Sequence, residues 1–163
     1  AGVSAGEQVT RNPIVMAAVD VDNASEALLE QLRETVRRIL STEPGARLAC
    51  VSVMRTARIG MDELVDEQGR SHHVRQLVGL KHWARPISQA LDLGHGRLTF
   101  HVLEAPDPAA AIIDFAQRTQ VDHIVMGARA NSALRRYLGS ISSQVVAQSE
   151  CTVTVVRAPS PQS

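Results

Sequence analysis

The residues best suited to chemistry lie in "GARANSALRRYLGS" (127–140), which follows one apolar run and leads into another. The stretch carries Gly127 and Gly139 near its ends, three arginines (Arg129, Arg135 and Arg136) and no carboxylate. Ser140, Ser142 and Ser143 come next, while Asp20 directly follows an earlier apolar run and Asp22 stands two residues further on. Backbone N–H groups at the start of a helix attract anions, and hydroxyl and guanidinium groups add donors, so phosphate binding is the chemistry this pattern suits. An ordinary strand-to-helix loop uses Gly and Ser in the same places for turn geometry. The stretch is neither G-x-x-x-x-G-K-[ST] nor G-x-G-x-x-G, so the P-loop and dinucleotide fingerprints are absent.

Other constellations are weaker. His72 and His73 are adjacent and His82, His95, His101 and His123 are scattered, with no Cys or carboxylate at metal-ligand spacing. No protein side chain is therefore expected to ligate a metal. The serines have no G-x-S-x-G elbow and no evident partner base, and ATP hydrolysis would need a base or water-orienting group that arginines and hydroxyls do not supply. A binding protein rather than an enzyme is the expectation.

Composition narrows the partners. The 163 residues have 17 basic and 17 acidic side chains and only 2% aromatic residues. Zero net charge removes the long-range pull on a phosphate backbone, and scarce rings remove the stacking surface of single-strand readers, so nucleic acid is not expected. Lys81 is the only lysine, so side-chain phosphate contacts would be guanidinium forks. The apolar runs are too short to span a membrane. A cytoplasmic protein is expected, and Cys50 and Cys151, inside strand-like runs without a C-x-x-C spacing, read as core thiols.

The elements that must position these residues alternate. Residues 1–12 and 159–163 show no apolar period and read as flexible ends around one domain, 13–158. "IVMAAV" (14–19) suits a strand buried on both faces. "NASE" (23–26) is a capping-box pattern, with Asn23 as N-cap, before a helix whose apolar positions are Leu28, Leu29, Leu32, Val36, Ile39 and Leu40. "PGA" (44–46) ends that helix, "RLACVSVM" (47–54) is a second strand, and the polar stretch to His73 reads as a surface excursion. Val74, Leu77, Val78, Ala84, Ile87 and Leu91 mark a second helix that Pro86 must kink or break. "RLTFHVLEA" (97–105) is a third strand. Asp107 then caps a helix with Pro108 at its first position. "DHIVMGA" (122–128), a short helix containing Val145 and Val146, and "CTVTVVRA" (151–158) complete five strands and four helices.

Such alternation predicts an α/β fold, a Rossmann-like open five-stranded parallel sheet with helices on both faces. Ligands of such sheets sit beyond the carboxyl ends of the strands where the order reverses. Asp20, Val53 to Arg55 and the residues from Gly127 onward are the candidates. Trp83 on its helix reads as a core residue.

The segments "IVMAAVD", "DPAAAIIDFAQRTQVDHIVMG" and "VDHIVMGARANSALRRYLGSISSQVV", followed by "CTVTVV", together resemble the universal stress protein family. The likeness runs from 14 to 157 and is strongest from 106 onward. "PGARLACVSVM" and "LVGLKHWARPI" look most like the version attached to bacterial serine/threonine protein kinases, although no kinase motif is present. The resemblance implies a dimerising domain that in one branch binds ATP with Mg²⁺, as a stress-response or signalling module. It would set Asp20 on the adenosine end with Val19 beside it and Val53 lining the base pocket. Gly127, Ala130, Gly139 and Ser140 would surround the phosphates, with Ser142 and Arg129 adding donors.

Three departures from the family pattern bear on affinity. The family's second loop glycine is Ala130, whose Cβ costs about 1 to 2 kcal/mol if the backbone there is left-handed. Eight residues rather than nine separate it from Gly139. Val21 and Asp22 replace a Gly-Ser, and Asp22 brings a repelling carboxylate to the pocket mouth. A nucleotide-independent dimerisation or interaction module with a degenerate pocket, of which a regulatory part of a protein kinase is one form, is the alternative. The last strand would lie at a sheet edge, and the resemblance implies that it pairs with its twin in a homodimer through Val153 and Val155. A simply buried strand would supply the same residues.

Overall fold

The computed structural model describes residues 12–55, 72–128 and 139–158. The two ends, the excursion at 56–71, and the loop carrying Arg129, Ala130, Arg135 and Arg136 lie outside the described residues.

Strands and helices alternate as β1 (Ile14–Ala18), α1 (Glu26–Ser41), β2 (Arg47–Arg55), α2 (His72–Leu91), β3 (Leu98–Ala105), α3 (Pro108–Thr119), β4 (His123–Gly127), α4 (Ser140–Gln148) and β5 (Thr152–Val156). The sheet order is β3-β2-β1-β4-β5 and every neighbouring pair is parallel. From β1 the chain steps outward to β2 and β3, then returns to the other side of β1 for β4 and β5. Crossovers of one hand must then switch faces. They do: α1 and α2 pack with Val15, Ala17, Val19, Leu48 and Cys50 on one face. The opposite face carries α3 and α4 over Met16, Ala49, Val51, Ile124 and Met126.

The central strands are apolar on both sides because helices cover both faces, and Met16, Ala17, Cys50, Val51, Ile124 and Val125 are fully buried. In α1 the buried stripe Leu28, Leu32, Val36 and Leu40 repeats every fourth residue. Asp107 caps α3 as expected, its side chain accepting from the Ala110 N–H, with Pro108 in the first turn.

Three local expectations are corrected. The N-cap of α1 is Ser25, whose hydroxyl accepts from the Leu28 N–H at 3.1 Å. Asn23 belongs instead to a turn that closes on Asp20. Pro86 does not break α2, which runs through it. Both Pro86 and His82, whose carbonyl loses the bond the proline cannot donate, are on the exposed face, where water can satisfy that oxygen. The inward face of α2 is also rotated from the expected one: Gln76, Leu80, Trp83, Ala84 and Ile87 are buried, whereas Val74 and Val78 are exposed. Trp83 is a core residue that donates its indole N–H to the Leu29 carbonyl at 2.9 Å. Cys50 is fully buried, which pushes its thiol pKa strongly up, and Cys151 is half-buried against the second core cluster.

Candidate functional site

The direction of strand order reverses between β1 and β4, so their carboxyl ends flank the crevice where open α/β sheets take ligands. Asp20 leaves β1 at this crevice. Its Oδ1 accepts from the backbone N–H of Asn23 at 3.2 Å and from Asn23 Nδ2 at 3.3 Å, and its carbonyl accepts from the Ala24 N–H at 3.1 Å. The short polar side chain thus folds the β1–α1 connection into a tight turn. Val19, one residue earlier, is 2% exposed and packs toward α1 and α2, with its N–H bonded to the Val51 carbonyl at 2.8 Å. Its side chain is therefore a core element rather than an open wall. Val53 is half-buried and packs on the opposite face, against the α3 and α4 cluster.

Gly127 ends β4, and the next N–H, that of Ala128, is spent on the Val156 carbonyl at 2.7 Å. A Cβ at 127 would lie 2.9 Å from Leu28 Cδ2, so glycine here admits the first turn of α1 over the strand end. Gly139 is the N-cap of α4, in an extended conformation (φ −69°, ψ 167°) with no side-chain cap. A helix joining two parallel strands runs back against them, so this N-terminus and exposed Ser140 stand at the same carboxyl edge as Asp20. Ser142 is buried, and its hydroxyl donates to the Gly139 carbonyl at 3.1 Å. The donor assigned to phosphate is turned onto the helix's own first turn.

Asp22, expected to repel anions at the pocket mouth, is held by α2: its Oδ2 accepts from Gln76 Nε2, and Gln76 Oε1 accepts from the buried Ser52 hydroxyl at 2.7 Å. Sequence periodicity missed Gln76 and Ser52 because both are polar residues on core-facing positions. Among the described residues, no group of three or more His, Cys, Asp or Glu converges. An open groove of about 630 Å³ lies elsewhere, between β3 and α3, lined by His73, Glu104, Asp107, Asp114 and Arg118 among others. It is two strands from β1, away from the reversal point.

The model of the Universal stress protein family matches residues 12–157. The chain belongs to this family. Over 53 residues it is 40% identical to a universal stress protein of Methanocaldococcus jannaschii, an alignment covering 32% of this chain and 31% of that relative. The chain thus spans about a third of the curated relative's length. Among solved structures, a universal stress protein in complex with cAMP aligns with a TM-score of 0.61 at 15% identity, covering 92% of this chain and 100% of that one. A universal stress protein family protein of Arabidopsis thaliana with AMP bound aligns at 0.57 and 17% identity, over 92% and 94%. At such identities the likeness establishes the shared fold. Within this universal stress protein domain, β5 is one of the two edge strands, and Val153 and Val155 are half-buried against the α3 and α4 cluster. No helix of the described residues is long and apolar enough to cross a membrane.

Proposed function

We propose that this universal stress protein domain binds ATP or a related nucleotide as a stress-response or signalling module, acting as a cytoplasmic homodimer paired along β5. The observation that carries the reading is the strand order: it reverses between β1, which leads into Asp20, and β4, whose continuation starts α4 at Gly139 and Ser140. The two fold relatives with cAMP and AMP bound support the same ligand class. Phosphates fit the α4 N-terminus by its backbone donors and dipole, and the Asp20 carboxylate suits hydroxyl groups of a ribose. Mg²⁺, a hard cation that keeps most of its waters, would accompany the phosphates and be held mainly by them. The arginines and hydroxyls that the sequence offers on the phosphate side supply no general base for the γ-phosphate, so ATP turnover is expected to be slow.

A second reading, a nucleotide-independent interaction module regulatory to a protein kinase, is favoured by one observation. The Ser142 hydroxyl is committed to the Gly139 carbonyl. Thermal unfolding with increasing Mg-ATP, AMP, cAMP and GTP separates the two. A ligand at about 100 times its dissociation constant adds roughly 2.7 kcal/mol and raises the midpoint by several degrees. No shift at millimolar nucleotide gives the lead to the interaction module.

A further inference from the structure

The inward face of α2 is apolar at Leu80, Trp83, Ala84 and Ile87, but its first buried position is Gln76, only 5% exposed. A buried amide is costly unless both its ends are hydrogen-bonded. Here both are. The Asp22 carboxylate only accepts, so the Gln76 nitrogen must face it; the Gln76 oxygen then faces Ser52, whose hydroxyl must donate. The chemistry of the end groups permits one direction for the relay, Ser52 to Gln76 to Asp22.

This relay reaches the loop that presents Asp20. Asp22 lies two residues beyond it, and Val21 between them is pressed onto α2, where a Cβ on Gly79 would stand 3.4 Å from Val21 Cβ. On the other side Asn23 closes back onto Asp20 through two hydrogen bonds. The loop is therefore gripped internally by Asn23 and externally by α2.

We infer that Gln76 is a positioning residue for the adenosine end of the site: held by Ser52, it anchors the loop through Asp22 and so fixes Asp20. This inference rests on the nucleotide reading above. It couples α2 to the ligand through the loop that carries Asp20 and Asp22.

The test uses the full chain and two readouts. The first needs no ligand: amide hydrogen exchange at Asn23 and Ala24, with Ala110 in the α3 cap as control. Gln76→Met is expected to speed exchange at Asn23 and Ala24 several-fold and leave Ala110 unchanged. The second is calorimetric titration with Mg-ATP, adenosine and inorganic triphosphate. Gln76→Met is expected to weaken ATP and adenosine about tenfold, the loss of roughly one hydrogen bond's worth of ordering, while triphosphate is unaffected. Ser52→Ala should give the same split at smaller amplitude. Exposed Asp22→Ala removes the contact from its other end and is expected to speed exchange at Asn23 and Ala24 as Gln76→Met does, which keeps the question answerable if the buried variant fails to fold. Unchanged exchange at Asn23 and Ala24, or equal weakening of all three ligands, overturns the inference. A wild-type chain that binds no nucleotide overturns the nucleotide reading and the adenosine role with it, whereas the exchange experiment separately decides whether Gln76 holds the loop.

Discussion

Gly127 at the end of β4 faces Leu28 in the first turn of α1 so closely that a Cβ would stand 2.9 Å from Leu28 Cδ2 and 3.2 Å from its Cγ. The glycine that resembles part of a phosphate loop thus has a packing reason for its identity. Overfilling a tight core contact costs about 1 to 3 kcal/mol. Gly127→Ala is expected to lower the urea midpoint accordingly, and adding Leu28→Val should recover part of the loss. A Gly127→Ala chain as stable as wild type would show that α1 can move away without cost.

The start of α1 offers two side chains of similar capping propensity, and the structure uses Ser25 for the helix and Asn23 for the Asp20 turn. Ser25→Ala should therefore cost about 1 kcal/mol of stability. Asn23→Ala should cost less, while loosening Asp20 and weakening nucleotide binding. Equal losses of stability from the two, measured by urea unfolding, would contradict this division.

What could be read from the chain follows from which signals were local. The central strands were legible because a sheet covered on both faces favours short, apolar runs such as "IVMAAV", too short here for a helix of ordinary length. The α3 cap was legible because Asp107-Pro108 carries two helix-start preferences side by side. The inward face of α2 was not, since Val74 and Val78 look like core residues and Gln76 looks like a surface one; only tertiary contact with Ser52 and Asp22 makes a buried glutamine affordable. The sequence points to a candidate place, the reversal between β1 and β4, but not to a set of contacts. Val19 is packed into the core and the Ser142 hydroxyl is bonded to the Gly139 carbonyl, which local sequence does not reveal.

Histidine burial gives the fold a pH dependence. His123, bonded through Nε2 to Thr154 Oγ1 at 2.7 Å, has its pKa lowered by partial burial, opposed by the charge of Glu43. His101, beside the Phe115 ring at 4.8 Å, is lowered by partial burial as well. A lowered folded-state pKa means the unfolded chain binds more protons, so stability is full above about 6.5, the ordinary histidine value, and falls as pH drops through the folded-state values. Urea unfolding is expected to show a lower midpoint at pH 5 than at pH 7.5. The slope should shrink in His123→Gln, and a midpoint that rises on acidification would reverse the sign.

β5 is an edge strand carrying Thr152, Val153, Thr154 and Val155, and an exposed ladder of this kind invites pairing. Sedimentation velocity is expected to give twice the chain mass at micromolar concentration. Val155→Pro, which removes a donor and cannot sit in a paired strand, should return the monomer. A wild-type monomer would remove the β5 dimer from the proposal and leave the nucleotide question untouched.

Gly139 offers the cleanest separation of fold from ligand. Its φ of −69° is open to any residue, so no left-handed strain requires a glycine there. Replacing it should cost the unliganded domain about 1 kcal/mol, the difference between good and poor N-cap residues. A bound phosphate would meet the new side chain directly at the first turn of α4, where backbone N–H groups must approach it. Gly139→Val is therefore expected to unfold within a few degrees of wild type alone and to lose the rise in midpoint given by Mg-ATP, while the adenosine-only shift survives. If Mg-ATP still raises the midpoint of Gly139→Val by the wild-type amount, the phosphates do not sit at the α4 N-terminus, and the anion site must be sought in donors that Gly139 does not border.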